Sequence, residues 1–272
     1  MRSTIGPLDR ERLHELLESQ PFVRHLEVVE TTESTNDDVR RLAAGGSPSG
    51  TVVVANHQRS GRGRAGRRWH SAPGLGVYVS VLFRPEIPIA EPTRWTLISA
   101  LAACEACRRV ARCEVEIVWP NDLYHGGRKL AGTLTELRSA SGVVQEIVVG
   151  TGFNVHHVSS DFPADLRGRA TSLAMAGGAR DLDRESLAAL YVERLAERLR
   201  ALQGGAWDEL RDAWYLHAPG ARGSRVVLRR PGVPDVVGVT RGIDDAGALR
   251  LENGDGSIVV VRSSDSLVKK GA

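Results

Sequence analysis

The chain is 272 residues long, 42% hydrophobic and 25% charged, with a net charge of +3 at neutral pH and a pI near 9.0. A chain of this length buries roughly 75% of its unfolded surface and has room for two domains. Five arginines and no acid fall between positions 59 and 68, so the remainder nets −2, which excludes a broadly basic nucleic-acid-binding face.

No stretch reaches the roughly 18 continuous apolar residues of a membrane span, and the N-terminal MRSTIGPLDRERLHELL lacks the apolar core of a secretory signal. A cytoplasmic protein is expected. Cys104, Cys107 and Cys113 lie on one predicted helix. Their C-x-x-C sits mid-helix without a second ligand pair, which speaks against metal or redox use. His125, His156 and His157 have no metal-ligand spacing and read as solvated.

In chain order, LDRERLHELLE (8–18) has helical apolar spacing, and Thr35 to Asp38 begin a second short helix closed by Gly45-Gly46. TVVVAN (51–56) reads as a buried strand. VYVSVLF (77–83) and VEIVW (115–119) are strands flanking a helix over about 93–112, whose Trp95, Ile98, Leu101 and Ala102 form an apolar face. KLAGTLTEL (129–137) and VVQEIVVG (143–150) pair as an antiparallel hairpin turning through Ser139, Ala140, Ser141 and Gly142. Helices follow at about 184–203 and 207–217. Four short strands, SRVVLRR, VVGVTRGI, ALRLEN and SIVVV, are then cut by Pro231-Gly232, an Asp-Asp-Ala-Gly and an Asn-Gly-Asp-Gly turn. This small all-β module starts near Pro219-Gly220, so residues 1–218 and 219–272 are expected as separate domains.

Between the strands at 51–56 and 77–83 stands RSGRGRAGRRW (59–69), three glycines and five arginines in eleven residues. Glycines let backbone approach a ligand, and guanidiniums offer paired donors to phosphate and carboxylate, so this is an anion-binding loop. Crowded like charge predicts a loop that orders when an anion neutralises it. Around it stand ESTND from Glu33, Gln58, VWPNDL from Val118, RKLAGTLTEL from Arg128 and GTGFN from Gly150. Each alone is a weak sign. In this order and with these gaps, from about residue 31 to the C-terminus, they resemble the biotin-protein ligases.

The resemblance implies an α+β catalytic domain, a mixed sheet flanked by helices like that of class II aminoacyl-tRNA synthetases and biotin ligases. GVTRGIDDAGALRLE (238–252) resembles the family's small C-terminal SH3-like β-barrel. It further implies ATP and biotin as substrates, joined as biotinyl-5′-AMP with release of pyrophosphate. Biotin then passes to one lysine of a biotin carboxyl carrier protein of acetyl-CoA carboxylase or a related carboxylase. Mg²⁺ is the default companion of the nucleotide phosphates, with its protein ligands unassigned. Some family members carry an N-terminal helix-turn-helix of about 60 residues. Here ESTND begins at 33, so a monofunctional ligase without DNA binding is expected, as monomer or homodimer.

By the same resemblance Ser34, Thr35 and Asn36 meet the ureido head of biotin or its surroundings, and Gln58 adds a polar contact. Arg62, Gly63 and Arg64 wrap biotin and the adenylate phosphate. Lys129 contacts biotin and is the chief catalytic cation, with Arg62 and Arg64 beside it. Arg64, Trp69, Asn121 and Asn154 serve the nucleotide, Asn154 as the adenine reader. Read singly, Ser34 to Asn36 are also a helix cap, Gln58 a surface amide, Arg64 a solvated charge, Lys129 a strand-edge residue, Trp69 a core-edge tryptophan and Pro-Asn-Asp a turn.

Val118 departs from the family, whose members usually have lysine directly before Trp-Pro-Asn-Asp. That departure leaves a noncatalytic biotin or adenylate sensor as one alternative, and a lipoate-type ligase on the same scaffold is the other.

Overall fold

Alternating apolar residues build the larger unit. The computed structural model describes residues 6–18, 20–85, 92–140, 143–177, 182–230, 233–261 and 266–269. In chain order come α1 (Arg10–Glu18), β1 (His25–Thr32), α2 (Thr35–Ala44), β2 (Thr51–Gln58) and β3 (Gly76–Phe83). Then follow α3 (Pro92–Ala111), β4 (Glu116–Val118), β5 (Asp122–His125), β6 (Arg128–Ala140), β7 (Val143–Asn154), α4 (Arg184–Gln203) and α5 (Trp207–His217). The strands form one seven-stranded mixed sheet in the order β1-β2-β3-β7-β6-β5-β4. In it β1 and β2 run parallel and the other neighbours antiparallel.

The period of two sends Val52, Val54, Val79, Val81, Ile147 and Val149 into the main core with α3 and α4. The alternate residues Val53, Leu82 and Val148 pack on the other face against Val39 and Ala43 of α2. Each buried side chain of this size is worth roughly 1.5–3 kcal/mol of transfer from water. α2 is only ten residues long, so it covers part of that second face and leaves the rest to a cavity.

The smaller unit has β8 (Arg222–Arg230), β9 (Val233–Ile243), β10 (Leu249–Asn253), β11 (Ile258–Val261) and β12 (Ser266–Lys269), antiparallel in the order β11-β10-β9-β8-β12. The α+β unit with a small SH3-like β unit matches the expected fold class. The two are joined through side chains. Trp119 Nε1 donates to Gly247 O at 3.0 Å, and Arg94 Nε donates to Asp245 O at 2.6 Å.

Three strands were not expected. β1, HLEVVETT, is an edge strand with mostly half-exposed residues and lacks clean alternation. β5 begins immediately after the Trp-Pro-Asn turn, and β12 is four residues long. The expected strand over 115–119 shortens to Glu116–Val118. The turn positions 141–142 and 231–232 lie outside the described residues. Cys104 and Cys107 are buried free thiols inside α3, and burial pushes the Cys104 thiol up to about 12, so they are unreactive core residues.

Candidate active site

Beyond the N-terminal end of α2 the sheet face is stripped of side chains. Gly132 of β6 pairs with Gly152 of β7, and Leu134 with Gly150. A Cβ on Gly150 would meet Asn36 Oδ1 at 1.9 Å, and one on Gly152 would meet the Trp69 ring at 2.7 Å. Only glycine fits at these two places. Over this bare patch lies a cavity of about 940 Å³.

All the residues expected at the site line that cavity: Ser34, Thr35, Asn36, Gln58, Arg62, Gly63, Arg64, Trp69, Asn121, Lys129 and Asn154. Among them, Ser34 is the buried N-cap residue of α2 but makes no side-chain cap hydrogen bond. The cap comes from another strand: Gln58 Oε1 accepts from Thr35 N–H at 2.9 Å and from Thr35 Oγ1 at 3.1 Å. Exposed N–H groups of a first helical turn need such acceptors. Ser80 Oγ of β3 stands 2.7 Å from Thr35 Oγ1 and 2.6 Å from Asn36 Oδ1. Thr35, Asn36 and Ser80 are thus a buried polar cluster, and Ser80 had no signal in the sequence beyond its place in an apolar strand.

The basic loop folds on itself. Gly63 N–H donates to Arg67 O at 2.7 Å and Trp69 N–H to Gly61 O at 2.8 Å, around a 3-10 turn at Arg64–Gly66. Like-charge crowding predicted a loop that waits for an anion, yet the chain's own carboxylates already meet it. Arg62 pairs with Asp37 at 2.7 Å and Glu136 at 3.4 Å, and Ser60 Oγ donates to Glu33 at 2.8 Å. Burial alone would raise the Asp37 carboxyl, but hydrogen bonds from Arg62 and Arg40 outweigh it and hold it below the usual carboxylate range. Asp37 and Glu136 sat inside the ESTND and RKLAGTLTEL motifs; their acidity opposite five arginines was the signal.

Arg64 Nη1 donates to Asn121 Oδ1 at 2.9 Å, while Asn121 Nδ2 donates to Thr133 O at 2.5 Å. Asn121 therefore joins the loop to β6. Lys129 Nζ lies 2.7 Å from Asp122 Oδ1 and 5.5 Å from the centre of the Trp69 ring. Asn154 Nδ2 donates to Thr171 O at 3.0 Å, so this residue holds the 170–174 segment against the end of β7. Val118 is half-buried on β4 and directly opposite Asp122.

A further wall comes from 162–170, which was not singled out from the sequence. His157, expected in solvent, is fully buried and stacked on Phe162 at 4.9 Å. The chain turns it inward as it leaves β7, with Ser172 Oγ donating to its carbonyl at 2.6 Å. His125 is half-buried, its Nδ1 at 2.5 Å from Glu114 O.

Chemically the cavity can hold one apolar chain on a glycine floor, a polar head against Thr35, Asn36 and Gln58, and an anion near Lys129 and Arg64. A family described as "Biotin/lipoate A/B protein ligase family" matches residues 28–154, and "Biotin protein ligase C terminal domain" matches residues 223–265. The chain is 35% identical over 265 residues to the biotin--[acetyl-CoA-carboxylase] ligase of Mycobacterium tuberculosis, covering 95% of each. It is 32% identical over 251 residues to the bifunctional ligase/repressor BirA of Bacillus subtilis, covering 92% of this chain and 76% of that one. Among solved structures, the biotin protein ligase from Aquifex aeolicus in complex with biotin and ATP superposes with a TM-score of 0.78 at 27% identity. That match covers 91% of this chain and 100% of the other.

Proposed function

The chain belongs to the biotin protein ligase family, and from that premise we propose how its own residues divide the work. It is an ATP-dependent biotin ligase that acts on the carrier protein of a carboxylase. Activation requires the biotin carboxylate to attack the α-phosphorus of ATP, breaking the bond to pyrophosphate. An amine of the carrier then attacks the acyl carbon, and AMP leaves with the electron pair. Neither step needs an enzymic nucleophile: the first needs two anions held together, the second an uncharged amine brought to the anhydride and relieved of a proton as the amide forms, and both need water kept out.

The carrying observation is that the scattered motifs converge on one cavity, lined by the buried hydroxyls and amides of Ser34, Thr35, Asn36 and Gln58 and by the more exposed cations Arg62, Arg64 and Lys129. The ureido head fits the cluster of Ser34, Thr35, Asn36 and Gln58, whose amide and hydroxyl groups match its donors and acceptor. The valeryl chain follows the glycine floor past Gly63. Lys129 and Arg64 face the developing phosphorus charge, and Arg62 supports them from its ion pairs. Trp69 covers the purine side, Asn121 fixes Arg64, and Asn154 presents the adenine-facing edge. Mg²⁺ enters with ATP. The carboxylates that line the cavity, Asp122 and Asp165, fit a cation that takes most of its ligands from phosphate and water. When bound it would neutralise phosphate charge.

Biotin-dependent exchange of labelled pyrophosphate into ATP tests the reading. Exchange with biotin and none without it is expected. Binding without exchange would make the chain a sensor, and exchange driven by lipoate in place of biotin would reassign the substrate.

A further inference from the structure

We propose that Asp37 and Glu136 are positioning residues that clasp Arg62, and through it the whole 59–69 loop, against α2 and β6. The proposal rests on the ligase reading above. Arg62 presents a parallel fork to Asp37, with Nη1 and Nη2 donating at 2.7 and 2.9 Å, and Nη2 also reaches Glu136 Oε2 at 3.4 Å. Arg40 closes the circuit: it pairs with Asp37, and its Nη1 donates to Glu136 Oε1 at 3.2 Å. Two acids and two guanidiniums therefore alternate in a ring joining a loop, a helix start and a strand.

A single exposed ion pair contributes little to stability, because water and salt screen it. A forked pair inside a network of alternating charges is the exception, since each member holds its neighbours in place. Asp37 and Arg40 share one turn of α2, but Arg62 comes from the loop and Glu136 from β6, so the ring ties three separate segments together. Burial tends to lower the Arg62 pKa, but the bond to Asp37 and the charge of Glu136 raise it overall. Its charge is thus committed to the clasp.

Glu136 has a second duty. Its Oε2 accepts from Asn36 Nδ2 at 2.7 Å, while Asn36 Oδ1 turns to Ser80. A carboxylate admits only the NH₂ end of the amide, so Glu136 fixes which end of Asn36 faces each way. Loss of Asp37 should loosen the loop alone; loss of Glu136 should loosen the loop and disorder the biotin head site.

The experiment measures release of preformed adenylate, chased with unlabelled biotin, in Asp37→Asn, Glu136→Gln, Arg62→Ala and the double variant Asp37→Asn/Arg62→Ala. Parent exchange is checked first; a parent that does not exchange refutes the ligase reading and not the clasp. Asp37→Asn should speed release about threefold to tenfold, with exchange at saturating substrates kept within about twofold. The double variant should release no faster than Arg62→Ala alone, because the two residues act as one unit. Glu136→Gln should also raise the KM for biotin. Release from Asp37→Asn at the parent rate, with or without a lowered melting temperature, overturns the clasp, as does simple additivity in the double variant.

Discussion

Lys129 and Asp122 meet at 2.7 Å across neighbouring strands, an ion pair whose angle falls short of a hydrogen bond. The ammonium therefore keeps donors for a ligand while the carboxylate fixes where it stands. Lys129→Ala should slow adenylate formation by about 10² to 10³, the scale for losing one donor to developing charge, with biotin binding much less affected. It should also lower the melting temperature, because Asp122 is left partly buried without its partner. Adding Asp122→Asn should recover the melting temperature but not the rate. Normal exchange in Lys129→Ala would move the catalytic role to Arg64.

Gly152→Ala probes the aromatic wall. The new Cβ would stand 2.7 Å from the Trp69 ring, so the ring must leave the glycine floor. With the stacking face displaced, the KM for ATP should rise about tenfold, within the range for one lost base–aromatic stack. An unchanged KM for ATP would show that Trp69 does not face the purine.

Val118 stands where the resemblance implies a lysine, and its position opposite Asp122 puts the two side chains on the same face of the sheet, the one on which Asp122 lines the cavity. A lysine there would find a carboxylate neighbour, which reduces the cost of its partial burial. Val118→Lys should fold and exchange pyrophosphate at least as fast as the parent. A stable variant with slower exchange would mean that the new ammonium draws Asp122 away from Lys129.

His157 sets a pH signature on stability. Burial, and next the nearby His70, push its imidazole from the ordinary 6.5 down to about 4. The unfolded chain takes up a proton as pH falls past 6.5, whereas the native form resists until about 4. Its contribution is complete above the upper value and shrinks toward the lower one, by roughly 3 kcal/mol in all. Urea unfolding across that interval should be flatter for His157→Phe, which keeps the stack on Phe162. A slope identical to the parent's would assign the acid sensitivity to other groups.

Much of the site could be read along the chain because its chemistry is concentrated in short runs. ESTND, GRGR, RKLAG and GTGFN each place polar atoms or bare backbone at strand and helix ends, where side chains can converge. What escaped was relational. Ser80 is one polar residue in an apolar strand, and nothing local shows that it faces Asn36. Asp37 and Glu136 are 99 positions apart, so their joint hold on Arg62 exists only once β6 lies beside α2. His157 looked solvated because polarity predicts exposure on average, and an aromatic partner, Phe162, reverses it. β1 was missed because an edge strand buries too little to show a period.

The indole of Trp119 donates to the Gly247 carbonyl, and Asn121 and Asp122 follow it one proline later in the chain. The small sheet unit is therefore a fixed wall of the turn that carries two cavity residues, not an accessory attached to a finished enzyme. For anyone building chimaeras, interchangeability is set at the 244–247 loop: a transplanted module must return a carbonyl to that indole, whatever its identity elsewhere. Inheritance faces the same restriction, since the two units can drift apart in sequence only while this junction is kept.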